Sequence, residues 1–202
     1  MRLLAFSDLH RDLRQAARLV EKSADVDAVA AIGDLASVHS GLEETISALA
    51  AIEAPTILVP GNNETEEAVR AASAEWPSAA VLHGEAMNLE GVEFFGLGGG
   101  IPTTPWDWSF DLDEAEAAEQ LEACPTGAVM LVHSPPYGHC DVSSAGVHLG
   151  SRAIADAIER KAPPLFLCGH IHESWGCESR IGSSRVVNLG PEGAVFDVEP
   201  AA

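Results

Sequence analysis

The chain reads as an α/β protein with two sheets packed face to face and helices outside. Three observations predict this. Short apolar runs alternate with helical periodicity over residues 2–75. A middle region of shorter runs is split by Gly84 and Gly91. A second strand–helix series then follows, and both halves end their strands in the same kinds of polar residue.

Taken in order, Arg2–Phe6 is a short apolar strand. Asp12–Glu21 places Leu13, Ala16, Ala17 and Val20 at helical spacing. Asp27–Ile32 is a second strand, stopped by Gly33-Asp34. Leu42–Ile52 is an amphipathic helix with Ile46, Leu49 and Ala50 on one face. Pro55–Val59 is a third strand, stopped by Pro60-Gly61. Glu64–Glu75 is a third helix, acidic in its first turn as the helix dipole favours. This β-α-β-α-β-α series implies a parallel sheet. Ala80–Leu82, Ala86–Leu89 and Val92–Leu97 read as antiparallel strands and hairpins. A loop rich in Gly, Pro and Trp runs from Gly98 to Phe110. Then come a helix (Leu112–Glu122), a strand (Ala128–Val132), a loop (Pro135–Val147), a helix (Ser151–Arg160) and a strand (Leu165–Cys168). Arg185–Asn188 and Ala194–Val198 are expected to close the chain as a hairpin. No linker or repeat divides the 202 residues, so one domain spanning 1–202 is expected.

The charge balance is unusual. Asp and Glu number 31 against 11 Lys and Arg, a formal net charge of −20. Lys22 and Lys161 are the only lysines. Such a surface lacks the basic stripe that a phosphate backbone needs, so long nucleic acids and anionic membranes are not the expected partners. No apolar run approaches the ~20 residues of a membrane helix, and the short N-terminal run lacks the pattern of a signal peptide. A cytoplasmic location is expected, with Cys124, Cys140, Cys168 and Cys177 all as free thiols, because no C-x-x-C pair occurs. Oligomeric state is not readable.

The chemistry lies at the strand ends. Asp8-Leu9-His10, Gly33-Asp34, Gly61-Asn62-Asn63-Glu64, Val132-His133-Ser134 and Gly169-His170-Ile171-His172 each follow an apolar run. Each contains carboxylate, imidazole or amide oxygen, the donors that bind divalent metals. In open α/β sheets ligands gather at the carboxyl ends of strands. Five such groups therefore predict one polar site at one sheet edge. Asp8 and His10 alternate along an extended segment and so point the same way. Asp34 has two oxygens and can bridge two ions. Asn62 offers an amide oxygen, and His133, His170 and His172 offer nitrogens. Seven groups sharing one carboxylate give each of two ions four protein ligands, the arrangement that serves displacement at phosphorus. Two ligating carboxylates against two dications leave the site positive inside a negative protein. Donors without thiolate suit Mn²⁺, Fe, Zn²⁺ or Ni²⁺, with manganese favoured. Cys177 falls near the His pair, but the nitrogen and oxygen set is already full.

Taken together, the series D-x-H, G-D, G-N-x-E, H and G-H-x-H resembles the calcineurin-like metallophosphoesterases. It spans residues 8–172. His133-Ser134-Pro135-Pro136 and Gly169-His170-Ile171-His172-Glu173 are most similar to the branch of Icc-related phosphoesterases and class III cyclic-nucleotide phosphodiesterases. The resemblance implies a four-layer αββα sandwich. It implies that Asp8, His10, Asp34 and His172 bind the first ion, and Asp34, Asn62, His133 and His170 the second. It also implies in-line attack on a small phosphodiester by a bridging hydroxide. Phosphomonoesters, nucleotides or nucleic acid are alternative substrates of the same core, and a catalytically weak metal-binding scaffold is another reading.

One position departs. Many members carry His directly after the ligand Asn, and here that place is Asn63. An amide donates a hydrogen bond but gives up no proton, and general acid catalysis is worth ~10²–10⁴-fold. Asn63 is thus a candidate catalytic and substrate-binding residue suited to good leaving groups, or another His (His39, His83, His139 or His148) takes the acid role. Arg11, beside His10, is a candidate phosphate contact. Trp106, in Pro105-Trp106-Asp107-Trp108, is a candidate stacking surface for a nucleobase or aryl group. Asn188 is expected to be a turn residue.

Overall fold

Strands β1 (Arg2–Phe6), β2 (Ala28–Ile32) and β3 (Thr56–Val59) read as continuous apolar runs because both their faces are covered. They pair in parallel in that order. Helices α1 (Leu13–Ser23) and α2 (Leu42–Leu49) connect them, and α3 (Glu66–Ala72) leads on to β4 (Ala79–Val81). Residues 1–199 are described by this computed structural model. The end of the expected 1–202 domain, residues 200–202, lies outside them.

The second sheet holds β5 (Glu85–Leu89), β6 (Val92–Leu97), β7 (Val129–Val132), β8 (Leu165–Cys168), β10 (Ser184–Asn188) and β9 (Glu178–Ile181), in that spatial order. Helices α4 (Glu114–Leu121) and α5 (Arg152–Lys161) cover its outer face. Side chains start most of the helices. Asp12 accepts from Arg14 and Gln15, Thr65 from Ala68, and Ser151 from Ile154, while Asp113 and Glu116 form a reciprocal capping box.

Strand periodicity sorts the core into layers. Leu3 and Ala5 of β1 face the second sheet, meeting Phe94, Leu131 and Leu167, whereas Leu4 and Phe6 face α1 and α2 beside Leu19 and Leu49. On the far side Phe95, Met130 and Phe166 pack against Leu121 and Ile158. The result is the expected helix–sheet–sheet–helix sandwich.

Three expectations need correction. β4 is not part of a middle hairpin; it pairs in parallel with β3 in the first sheet, and only β5 and β6 form the antiparallel pair. Arg185–Asn188 and Ala194–Val198 form no hairpin. β10 lies parallel to β8 and antiparallel to β9, and β11 (Ala194–Asp197) returns to the first sheet to pair antiparallel with β1. β9 is an edge strand with a single buried residue, Ile181, so its apolar pattern is too weak to read. Finally, the third helix begins at Glu66 rather than Glu64, because the Glu64 carboxylate is committed elsewhere and Thr65 caps the helix.

Candidate metal centre

The carboxyl ends of five parallel strands, β1, β2 and β3 from one sheet and β7 and β8 from the other, deliver all seven residues to one place. The site therefore straddles both sheets rather than one sheet's edge. His133, the first residue past β7, sends its Nδ1 to the Ile32 carbonyl of β2 at 2.9 Å, which ties the sheets together at the site.

Asp8 and His10 do not alternate along an extended segment. Asp8 (φ 56°), His10 (φ 43°), Asp34 (φ 55°) and His170 (φ 67°) all adopt left-handed backbone. For non-glycine residues this conformation costs about 1–3 kcal/mol each and persists only where the surroundings hold it. Here the Asp8 N–H donates to the Gly33 carbonyl at 3.0 Å, His10 N–H to the Asp34 carbonyl at 2.9 Å, and His170 N–H to the Asp8 carboxylate at 3.1 Å. Glycine is required next to these turns. A Cβ at Gly61 would sit 2.1 Å from the Asp34 backbone nitrogen, and one at Gly169 would sit 2.3 Å from Asp8 Oδ2.

The side chains form two adjoining clusters that share Asp34: Asp8, His10, Asp34 and His172 in one, Asp34, His133 and His170 in the other. In the first, the Nε2 atoms of His10 and His172 are 3.1 Å apart, and His10 Nε2 is 3.5 Å from Asp34 Oδ2. In the second, His133 Nε2 is 3.5 Å from Asp34 Oδ1. Asn62 Oδ1 lies 3.1 Å from His170 Nδ1 and 3.4 Å from His133 Nε2. The Nδ1 atoms of His10 and His133 both face backbone carbonyls, of Ala36 and Ile32. Those bonds assign the proton to Nδ1 and leave Nε2 as a donor to a metal.

Asp8 and Asp34 are each 2% exposed, and among the described residues their ion-pair partners are histidines alone. Burial raises the Asp8 pKa above the ordinary carboxylate value. Burial also pushes on Asp34, but the fields of His133, His10 and His170 outweigh it and carry its pKa down. His133 is desolvated, yet Asp34 and Asp8 raise its pKa. Burial, with His133 nearby, lowers His170 to about 4, so its imidazole is neutral as a metal ligand must be. Buried carboxylates without a guanidinium or ammonium partner are stable when paired or metal-bound. Two carboxylates, four imidazoles and one amide oxygen fit a pair of divalent cations.

Several residues that support the ligands carry little signal in the sequence. Glu64 is buried and accepts from the N–H groups of Leu35, Ala36 and Gly61, clamping the turns after β2 and β3; burial and Asp34 raise its pKa to about 7. Its place in Gly61-Asn62-Asn63-Glu64 is its one sequence signal. Asn62 Nδ2 donates to Ser109 Oγ at 2.8 Å, which donates to Asp111 at 2.6 Å. Ser7 and Trp175 donate to Asp8 Oδ2 at 2.6 and 3.2 Å. Asn188 is no turn residue. It is buried in β10, and its amide nitrogen binds the carbonyls of Cys140, Gly169 and Ile171, holding the His170–His172 loop.

The remaining candidates separate. Asn63 lines the site, but its amide nitrogen donates to Asp34 and its Oδ1 accepts from Val38 N–H. Arg11 turns away from the site, its guanidinium 3.7 Å from Glu44, because its left-handed backbone (φ 70°) aims it toward α2. Trp106 lines a cavity of about 640 Å³ that also contains His10, Asp34, Asn62 and His170. His39, His83, His139 and His148 are absent from that lining. They engage the Trp108 carbonyl, Gly98 N–H, Ser179 and Asp141 respectively. The thiols are not all free. Cys140 and Cys177 form a disulfide, because the loop after β7 folds onto the segment after His172, and Cys124 and Cys168 are buried and unpaired. No helix among the described residues is long and apolar enough to cross a membrane.

The model of the calcineurin-like phosphoesterase superfamily domain matches residues 1–201. A UPF0046 protein of Caenorhabditis elegans is 30% identical over 140 residues, 60% of this chain and 35% of its own length. The chain thus spans about a third of the length of that curated relative. Among solved structures, TT1561 of Thermus thermophilus superposes with a TM-score of 0.76 at 22% identity, covering 95% of this chain and 90% of that one. A dimetal phosphatase from Danio rerio superposes with a TM-score of 0.65 at 10% identity, covering 95% and 88%. At these identities the likeness is one of fold.

Proposed function

Because the chain belongs to the calcineurin-like phosphoesterase superfamily, we propose that it hydrolyses small phosphodiesters with two divalent cations, manganese favoured. The observation that carries this reading is the pair of buried carboxylates, Asp8 and Asp34, ringed by imidazole nitrogens with no lysine or arginine paired to them among the described residues.

Asp8, His10, Asp34 and His172 would hold one cation, and Asp34, Asn62, His133 and His170 the other, with Asp34 shared. When bound, such a pair lowers the pKa of water to give a nucleophile and neutralises charge on the phosphoryl oxygens. The protein's own residues supply position. Ile32 and Ala36 fix the tautomers of His133 and His10. Ser7, Trp175 and His170 N–H hold Asp8. Asn63 holds both oxygens of Asp34. The charge of the wider lining favours this ester class. No lysine or arginine lines the cavity among the described residues, and Glu173 does. A singly charged diester suits such a site better than a dianionic monoester or a polyphosphate. Asn63 has no proton to give, which favours esters whose leaving groups depart without a general acid.

The test is a panel of phosphate mono- and diesters crossed with Mn²⁺, Fe²⁺, Zn²⁺ and Ni²⁺. Release of p-nitrophenol from the bis-ester, abolished by Asp34→Asn, is the expected result. The engagement of Asn63 with Asp34 favours one second reading, a metal-binding scaffold with little turnover. Cation binding without turnover of any ester would select that reading.

A further inference from the structure

We propose that Trp106, backed by Trp108, is a stacking platform for a flat aromatic group carried by the phosphate ester, so that the substrate is an aryl ester or a nucleotide. This rests on the phosphoesterase reading above and deepens it. The two indoles lie 5.5 Å apart and 14° from parallel. Trp106 is 51% exposed, so it does not serve the core. One of its faces meets Trp108, and the ring lines the same cavity as His10, Asp34 and Asn62. Pro102, Pro105 and Leu149 extend the wall as an apolar surface.

The platform is held before any ligand arrives. His39 meets Trp108 edge-on at 6.4 Å and bonds its carbonyl. The Asp111 carboxylate accepts from Thr104 N–H, Thr104 Oγ1 and Ser109 Oγ, closing the loop that carries Trp106 and Trp108. Phe110 N–H donates to the Asn62 carbonyl at 3.0 Å, and the Asn62 side chain donates to Ser109. The loop that carries the indoles is therefore bonded directly to a candidate metal ligand, so the spacing between platform and phosphorus site is preset and little ordering cost falls on binding. No lysine or arginine lines the cavity among the described residues, so no cationic side chain competes with stacking and apolar contact for the part of the substrate beyond phosphorus. A cavity of about 640 Å³ is large enough for such a group.

Phosphonates test this without turnover, because their P–C bond is not hydrolysed. Calorimetric titration of the Mn²⁺-loaded protein would compare propylphosphonate, phenylphosphonate and an adenine-bearing alkylphosphonate. We expect at least one aromatic probe to bind about tenfold more tightly than propylphosphonate, the scale of one stacked ring. Trp106→Ala should erase that margin while propylphosphonate is held as before, and Trp106→Phe should restore part of it. A margin for the adenine probe alone identifies a nucleotide, and a margin that includes phenylphosphonate an aryl ester. Equal binding of all three, or a margin that survives Trp106→Ala, overturns the platform and leaves the hydrolase reading intact. If no probe binds and the bis-ester is not turned over, both fail together.

Discussion

Asn63 holds both oxygens of Asp34: its backbone N–H donates to Oδ1 at 2.9 Å and its side-chain amide to Oδ2 at 2.8 Å. The carboxylate that two cations would share is thus oriented by one neighbour, whose Oδ1 is in turn anchored on Val38 N–H. Position 63 works here as a clamp. Asn63→Ala should weaken cation binding about 10–100-fold, the usual cost of losing a partner behind a metal ligand. Asn63→His should raise turnover of alkyl esters more than of aryl esters. An equal gain for both leaving groups would count against a missing general acid.

Cations should stabilise the fold itself. At a concentration a hundred times Kd, Mn²⁺ adds about 2.7 kcal/mol, or roughly 5–10 °C in Tm for a chain of this size. Asp34→Asn removes the shared carboxylate and should abolish most of that increment. A melting temperature indifferent to Mn²⁺ and to chelator would contradict the metal centre.

Glu64 predicts a pH dependence in the metal-free protein. Its folded pKa is raised from 4.5 to about 7, by burial first and then by Asp34. Between these values the folded state binds the extra proton, so stability should fall as pH rises through that window and level off above it. A shift of this size corresponds to about 3 kcal/mol. Urea midpoints measured from pH 4 to 8 with chelator present should show this slope, and Glu64→Gln should flatten it. An unchanged slope in the variant would assign the effect to another group.

The Cys140–Cys177 bridge closes a loop of 37 residues. Cross-linking such a loop is worth about 4 kcal/mol in the chain-entropy account. Cys140→Ser should lower stability by roughly 2–4 kcal/mol. Native alkylation should label no cysteine before reduction, since Cys124 and Cys168 are buried and burial raises both thiol pKa values, Cys124 to about 11. Four reactive thiols under native conditions would refute the pairing.

The buried strands and the polar residues that end them are legible in the amino-acid pattern. Ala28–Ile32 and Leu165–Cys168 are apolar at every position because both faces are covered, and the chain leaves such a strand at Gly33-Asp34 or Gly169-His170. That local contrast is readable without coordinates, and it carried the seven site residues. Features that depend on partners distant in sequence emerge only when the chain folds. Edge strands bury little, so nothing in Glu178–Ile181 or Ala194–Asp197 says which sheet each joins. Left-handed backbone at Asp8, His10, Asp34 and His170 is disfavoured locally and exists because hydrogen bonds from other strand ends impose it. The roles of Glu64, Ser109 and Asn188, the turning of Arg11 toward Glu44 and the joining of Cys140 to Cys177 have the same origin. A composition pattern encodes how much each residue wants to be buried, whereas the identity of its neighbour is set only when the two sheets close on each other.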